Sequence, residues 1–305
     1  MKSVLITGSA GFLGRHIARH FSREEWKIVS VDVVPPENAG TLPGETYHRI
    51  SLPNHAFLTL LRETKPDVCI HAAGRASVPL SLEDPTADFR DNVGLTYEVL
   101  DAIRREVPKC RFILLSSAAV YGNPASLPVA ETQPPAPLSP YGWHKRMCET
   151  LVQEFASVYA IPALSVRIFS AYGPGLRRQV VWDICQRVLT SGKLSLGGTG
   201  MESRDFIHAT DIARALVLLA ENAPACGEIY NLAAGRETTI SDLASLILRA
   251  LESDITPAFD GHSRLGDPLN WRADIGLIRT LGFSPQVTLE NGLAQFATWA
   301  RAELA

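Results

Sequence analysis

Residues 3–14 read SVLITGSAGFLG. The first five, Ser3–Thr7, are nearly all apolar, the mark of a short strand buried on both faces of a parallel sheet. Gly8, Gly11 and Gly14 follow, and residues 15–23 have a helical pattern. Between a strand and a helix, such glycines permit a tight turn. They also let backbone N–H groups approach a pyrophosphate at the helix N-terminus. The spacing is G-x-x-G-x-x-G rather than the commoner G-x-G-x-x-G, so its strand–turn–helix context carries the reading. A second strand over 28–34 puts Asp32 near its end. That is close to the roughly 20-residue separation at which a carboxylate binds adenosine ribose hydroxyls. A carboxylate there repels a 2′-phosphate, which favours NAD over NADP.

Outward from this unit, strands and helices alternate. Residues 47–52 read as a third strand and 54–64 as a helix. Residues 67–74, DVCIHAAG, form a fourth strand ending in Ala72, Ala73 and Gly74, small enough for a cofactor to lie against the backbone. His71 within it reads as a packed strand histidine. A long helix is expected over 84–107, containing Asn92. A fifth strand, Arg111–Ser117, carries Ser116 and Ser117 at its C-terminal end, where open α/β sheets bind ligands. A helix at Pro140–Tyr159 and a sixth strand over 163–169 complete the alternation. The expected fold is α/β, a doubly wound parallel Rossmann sheet with a smaller C-terminal α/β substrate-binding lobe.

The later sequence is looser. Helices are expected over 181–191, 211–221, 240–251, near 274–281 and over 289–302, with a strand over 228–234. Gly197–Gly200 reads as a hairpin-like turn before 204–208. The expected division is a dinucleotide-binding domain over 1–172, joined by 205–233, and a substrate lobe built from 173–204 and 234–305.

The chemistry centres on residues 114–145, which begin LLSSAAVYG and end SPYGWHK. Tyr141 and Lys145 are four apart and share one helix face. A phenol titrates near ~10 in water, and a neighbouring ammonium favours the phenolate, a usable base near neutral pH. Ser117, at the end of the preceding strand, is placed to orient the proton. A lone Tyr-x-x-x-Lys is ordinary helix surface chemistry; the Gly turn upstream gives it meaning.

Composition narrows the rest. The 305 residues are 46% apolar and 20% charged with a net charge of −3, ordinary for a globular protein. No basic run suggests a nucleic-acid surface. The five cysteines at 69, 110, 148, 185 and 226 are scattered, with no metal-ligand spacing, so no metal and a reduced, cytoplasmic setting are expected. No apolar run approaches the ~18 residues of a membrane span, and no signal core precedes the first strand.

Further motifs extend over nearly the whole chain: TGSAGFLG at 7–14, HAAG at 71–74, SSAAVYG at 116–122, YGWHK at 141–145, RIFSAYGPG at 167–175 and RDFIH at 204–208. With them the sequence resembles the extended short-chain dehydrogenase/reductases of the nucleotide-sugar epimerase/dehydratase type, and most of all UDP-glucose 4-epimerases. The resemblance implies a catalytic tyrosine, lysine and serine at Tyr141, Lys145 and Ser117. It implies NAD contacts at Gly8, Gly11, Phe12, Leu13, Gly14, Asp32, Ala72, Ala73, Gly74, Asn92, Ser116, Tyr141, Lys145 and Phe169. Contacts to a nucleotide-diphosphate sugar, a UDP-hexose by preference, fall on Ser117, Ser170, Arg178, Gln179, Val180, Arg204, Arg264, Asp267 and Trp271. Arg177 is an alternative to Arg178. It also implies a homodimer formed through the two long helices.

The sequence departs from that family in places. Ser51 stands where an adenine-contacting acid is usual, Ser170 where Asn is usual, and Gln179 where Asn is frequent. The acid pair of the related 4,6-dehydratases is replaced by Ala118 and Ala119, which removes the proton donor and base that elimination needs. Epimerisation at C4 through a 4-keto sugar is therefore expected. A reductase of a nucleotide-linked 4-keto-6-deoxysugar and a non-catalytic dinucleotide-binding regulator are the alternatives. Trp271 is expected at the sugar-pocket wall, crowding an N-acetyl group.

Overall fold

The computed structural model describes residues 1–262 and 268–305. In chain order the elements are β1 (Ser3–Thr7), α1 (Phe12–Arg23), β2 (Lys27–Asp32), α2 (Pro36–Ala39), β3 (Thr46–Arg49), α3 (His55–Thr64), β4 (Val68–His71), α4 (Val78–Glu83), α5 (Pro85–Phe89), α6 (Leu95–Glu106), β5 (Arg111–Ser117), α7 (Pro140–Tyr159), β6 (Ala163–Ile168), β7 (Ser170–Tyr172), α8 (Gln179–Ser191), β8 (Ser195–Leu196), β9 (Ser203–His208), α9 (Ala209–Asn222), β10 (Cys226–Leu232), β11 (Glu237–Thr239), α10 (Ile240–Ala250), β12 (Ala258–Phe259), α11 (Gly276–Arg279) and α12 (Leu289–Leu304).

Seven strands form one parallel sheet in the order β10-β6-β5-β4-β1-β2-β3. From β1 the chain steps one way to β2 and β3, then returns to β4 on the other side of β1. The order reverses between β1 and β4, so a crevice opens beyond their carboxyl ends. The register aligns those ends: Thr7 pairs with Val31 and with His71, and Ser117 with Ile168. The Gly turn, residues 72–74 and Ser117 therefore meet along one edge.

Apolar side chains cover both faces of the sheet. Ile17 and Phe21 of α1 and Ile212 and Leu216 of α9 pack on one face. Leu61 of α3, Val99 and Ile103 of α6, and Val152 and Phe155 of α7 pack on the other. A third apolar cluster, built by α8, α10 and α12 around Trp182, Leu243 and Phe296, lies beyond the carboxyl edge.

Several elements differ from the sequence reading. The helix expected over 84–107 runs without a break from Pro85 to Glu106, but one turn of it, Arg90–Gly94 between α5 and α6, is π-helical. Asp84 leaves helical geometry (φ −137°, ψ 78°) and caps α5 by accepting the Ala87 N–H, with Pro85 at the first position. The wider π turn buries the Asn92 side chain, whose amide donates to the Asp88 carbonyl at 3.1 Å. The glycine turn at 197–200 does not close a hairpin. β8 pairs in parallel with β12, whereas β9 lies between β7 and β11 in a separate three-stranded sheet. The helix near 274–281 is only α11, four residues long: Asp274 accepts the Gly276 N–H at 2.8 Å ahead of it, and Gly282 (φ +94°) turns the chain after it.

Candidate active site

A cavity of about 670 Å³ runs across the carboxyl edge, from the Gly turn past Ser117 and Tyr141 to α8, β9 and Trp271. At one end the chain passes over itself closely. A Cβ on Gly8 (φ +71°) would lie 2.6 Å from the Ala73 nitrogen, and one on Gly14 only 2.2 Å from the Gly8 oxygen. Glycine is required at both, and the backbone they expose faces the cavity. Gly11, the N-cap of α1, has no side chain to cap the helix, so the first N–H groups of that helix remain for an anion. Gly8, Gly11, Phe12, Leu13, Gly14, Ala72, Ala73 and Gly74 line this end together.

Asp32 and Asn92 stand outside that lining. The Asp32 carboxylate is oriented by the Ala10 N–H (2.9 Å), which holds one oxygen, and by the Val33 and Val34 N–H groups (2.7 and 3.2 Å), which hold the other. A carboxylate has about four acceptor sites, so one remains for a ribose hydroxyl. With a positive helix end, a glycine-bared backbone and this carboxylate on adjacent strand ends, the residues present fit a dinucleotide.

The reactive centre lies mid-cavity. Ser117 ends β5, and its hydroxyl accepts the Ala119 N–H at 3.1 Å. Ser139 caps α7 by accepting the Gly142 N–H at 3.2 Å, with Pro140 at the first helical position and Tyr141 at the second. Gly142 lets α7 approach the turn after β5, since a Cβ there would meet the Ala119 oxygen at 2.6 Å. That approach brings Tyr141 toward Ser117. Lys145, 7% exposed, donates to the Leu115 carbonyl at 3.1 Å, and its nitrogen stands 5.9 Å from the Tyr141 ring centroid. His71 is no part of this centre. Its Nδ1 shares a 2.7 Å hydrogen bond with the Thr7 hydroxyl, and burial, then the Lys145 charge, push its pKa down to about 3. It is a neutral packed side chain, as the strand pattern suggests.

At the far end Phe169, Ser170, Arg178, Gln179, Val180, Arg204 and Trp271 all line the cavity. Gln179 holds φ +67° at the start of α8, a left-handed backbone unusual for a side-chain-bearing residue and typical of functional sites. Arg178 lacks a capping role there and faces the cavity. Arg177 does not line it: its guanidinium pairs with Glu303 at 2.7 Å and lies 5.7 Å over the Trp299 ring. Trp271 is fixed by its indole N–H, which donates to the Gly122 carbonyl at 3.0 Å. Its ring lies 5.9 Å from Phe169, with the Arg204 guanidinium 5.4 Å from it. Arg264 and Asp267 lie outside the described residues.

The structure adds lining residues that the sequence reading missed. Arg75, paired with Asp91 at 2.8 Å, and Arg187, which donates to the Ser195 carbonyl, both face the cavity. No spacing rule marks them, because neither 75/91 nor 187/195 is a spacing at which residues of one helix or strand meet. Asp205 also escaped notice. It is fully buried and accepts the Ala234 and Ala273 N–H groups at 2.9 and 3.0 Å, which ties the Trp271 segment to β9. Burial raises its pKa to about 7.

Residues 4–233 match the profile of the NAD dependent epimerase/dehydratase family. The chain belongs to that family. Its cofactor is NAD. Among the family's members, a putative UDP-glucose 4-epimerase of Methanocaldococcus jannaschii is 28% identical over 98% of each chain. A UDP-N-acetylglucosamine 4-epimerase from Methanobrevibacter ruminantium, solved with UDP-N-acetylmuramic acid, superposes with a TM-score of 0.90 at 28% identity over 99% of each chain. A UDP-glucuronic acid 4-epimerase from Bacillus cereus, solved with UDP-glucuronic acid and NAD, gives a TM-score of 0.90 at 27% identity over 99% of each chain. The two solved relatives share this chain's architecture, and the three differ in the sugar named for each. No helix among the described residues is long and apolar enough to cross a membrane.

Proposed function

We propose that the chain is a UDP-glucose/UDP-galactose-type 4-epimerase working through a transient 4-keto sugar. One observation carries this reading. The cavity brings Ser117, Tyr141 and Lys145 together, while Ala118 and Ala119 occupy the positions that follow the serine. Proton transfer at one carbinol is provided for, and acid–base elimination is not.

The dinucleotide is held by Gly8, Gly11, Phe12, Leu13, Gly14, Ala72, Ala73 and Gly74, with Asp32 on the adenosine ribose and Ser116, Asn92, Lys145 and Phe169 toward the nicotinamide end. NAD, when bound, takes a hydride from the sugar carbon and gives it back. The chain does the rest. Tyr141 Oη receives the 4-hydroxyl proton, with Ser117 hydrogen-bonded to the same oxygen and the Lys145 ammonium beside the phenol. Arg178 and Arg204 hold the substrate diphosphate, for which guanidinium forks suit the paired oxygens. Anchored there, the 4-keto sugar turns over, and Tyr141 returns the proton as the opposite face is reduced. Arg264 and Asp267 are proposed to hold the diphosphate and nucleoside ribose.

A homodimer is proposed through α4–α7. Their outward sides expose Leu80, Phe89, Tyr97, Trp143 and Met147, apolar groups that a second copy would cover.

Mass spectrometry of the nucleotide released on denaturation, followed by a panel of UDP-, dTDP- and GDP-sugars, tests the reading. NAD in the released fraction and conversion of UDP-glucose without added NADH support it. Turnover only of a 4-keto-6-deoxysugar with added reduced cofactor would replace it with the reductase alternative.

A further inference from the structure

We infer that Glu149, which lies behind the cavity lining, is the positioning residue that sets where Tyr141 and Lys145 stand. The inference rests on the catalytic roles proposed above for those two side chains. Glu149 follows Lys145 by one helical turn, as Lys145 follows Tyr141, so the three form a single stripe along α7. Its carboxylate is fully buried. One oxygen accepts the Ser116 hydroxyl at 2.7 Å and Arg167 Nε at 2.9 Å, and the other accepts Arg167 Nη2 at 2.8 Å.

These donors stand on the strands that carry the site. Ser116 lies on β5 between Leu115, whose carbonyl receives the Lys145 ammonium, and Ser117. Arg167, 1% exposed, lies on β6 just ahead of Phe169 and Ser170. Its guanidinium sits 4.6 Å from the Tyr121 ring centroid, and the Tyr121 hydroxyl donates to Asn231 on β10 at 2.8 Å. One carboxylate thus fastens the Tyr/Lys helix to the carboxyl ends of two strands and, through Tyr121, to a third. Burial opposes the charge on Arg167, but the Glu149 carboxylate outweighs it and holds the guanidinium's proton more firmly than usual.

A buried ion pair is weak evidence for net stability, because desolvation offsets the attraction and an apolar pair of similar volume often serves as well. What an apolar pair lacks is direction. A bidentate fork fixes angle as well as distance. Proton transfer needs the phenol within hydrogen-bond reach, and a misplacement of ~1 Å costs about 10²-fold in rate.

The test compares wild type, Tyr141→Phe, Glu149→Gln and the double variant Glu149→Leu/Arg167→Met. Rates are expressed per mole of bound NAD, so that a smaller folded fraction does not count as slower chemistry. The double variant is expected to fold, with a thermal midpoint lowered only by the loss of the Ser116 hydroxyl's acceptor. Its kcat is expected to fall about 10–100-fold, with KM for UDP-glucose within about twofold, because α8 and β9 lie outside this network. Its crystal structure should show the Lys145–Leu115 hydrogen bond broken. Glu149→Gln should show the same kinetic split, and if it does not fold the double variant alone decides. A folded double variant with wild-type kcat and that hydrogen bond intact would overturn the inference. Equal activity in Tyr141→Phe and wild type would instead strike the enzymatic reading, and the crystallographic result would still decide the role of Glu149.

Discussion

The hydroxyl of Ser81 on α4 accepts the backbone N–H of Tyr141 on α7 at 3.1 Å, and both residues are buried. The same hydroxyl donates to the Val78 carbonyl at 2.7 Å. Ser77, Val78 and Pro79, at the start of α4, line the cavity, so this one serine joins the cavity wall to the helix that presents the proposed base. Tyr141 is at the second position of its helix, where the backbone N–H has no intrahelical partner.

Replacing Ser81 with alanine leaves that buried N–H unpaired. The expected cost in stability is about 1–3 kcal/mol. The thermal midpoint should fall, and kcat per bound NAD should fall with it while KM changes little. Unchanged kcat in a folded Ser81→Ala protein would show that the contact supports the fold alone.

Trp271 is held on three sides, by Gly122, Phe169 and Arg204, and cannot swing aside for a bulky substituent. Poor use of UDP-N-acetylglucosamine relative to UDP-glucose is therefore expected. Trp271→Ala should raise the ratio of kcat/KM for the N-acetyl sugar to that for UDP-glucose by about 10–100-fold. Equal rates on both sugars in wild type would remove the tryptophan from the selectivity account.

His71 sets an acid limit on stability. Its native pKa lies near 3 against 6.5 for the free side chain, so the unfolded chain binds the extra proton first. The stability it contributes is complete above about pH 6.5 and is lost as pH falls toward 3. Plotted against pH, the thermal midpoint of a His71→Leu variant should fall less steeply over that interval than that of wild type. Parallel curves would mean that other groups govern acid unfolding.

For the proposed dimer, α7 is the middle of the contact, and Trp143 on its outer side is 52% exposed in the single chain. Trp143→Glu places a charge where the second copy would exclude water, and such burial of an unpaired charge is strongly unfavourable. Light scattering should report a dimer at micromolar concentration for wild type and a monomer for the variant. A wild-type monomer would refute the assembly.

The doubly wound sheet was legible because its determinants are local. A mostly apolar run, a glycine turn and a helical period follow one another within 3–23, and the serines of Arg111–Ser117 close a strand of the same kind. Tyr141, Lys145 and Ser117 could be found because a four-residue spacing and a strand end are both sequence quantities. The start of α5 after Asp84 was signalled by Pro85, whose ring disfavours helix in the preceding residue. The short helix α4, absent from the sequence reading, begins at Ser77, which accepts the Leu80 N–H at 3.3 Å. The π turn around Asn92 had no such sign, since the same residues suit a regular helix. Ser81, Glu149 and Asp205 act through partners distant in sequence, at 141, 116 and 167, and 234 and 273, and no local pattern encodes those meetings. The three-stranded sheet that carries Arg204 was missed for the same reason.

The central claim is that the Tyr141 phenol carries the proton of the sugar 4-hydroxyl. The most direct test follows UDP-galactose formation from UDP-glucose by nuclear magnetic resonance, with no added NADH, in wild type and Tyr141→Phe matched for bound NAD. The account predicts conversion by wild type and a rate lower by about 10²–10⁴-fold in the variant. Conversion at the same rate by both proteins would contradict it.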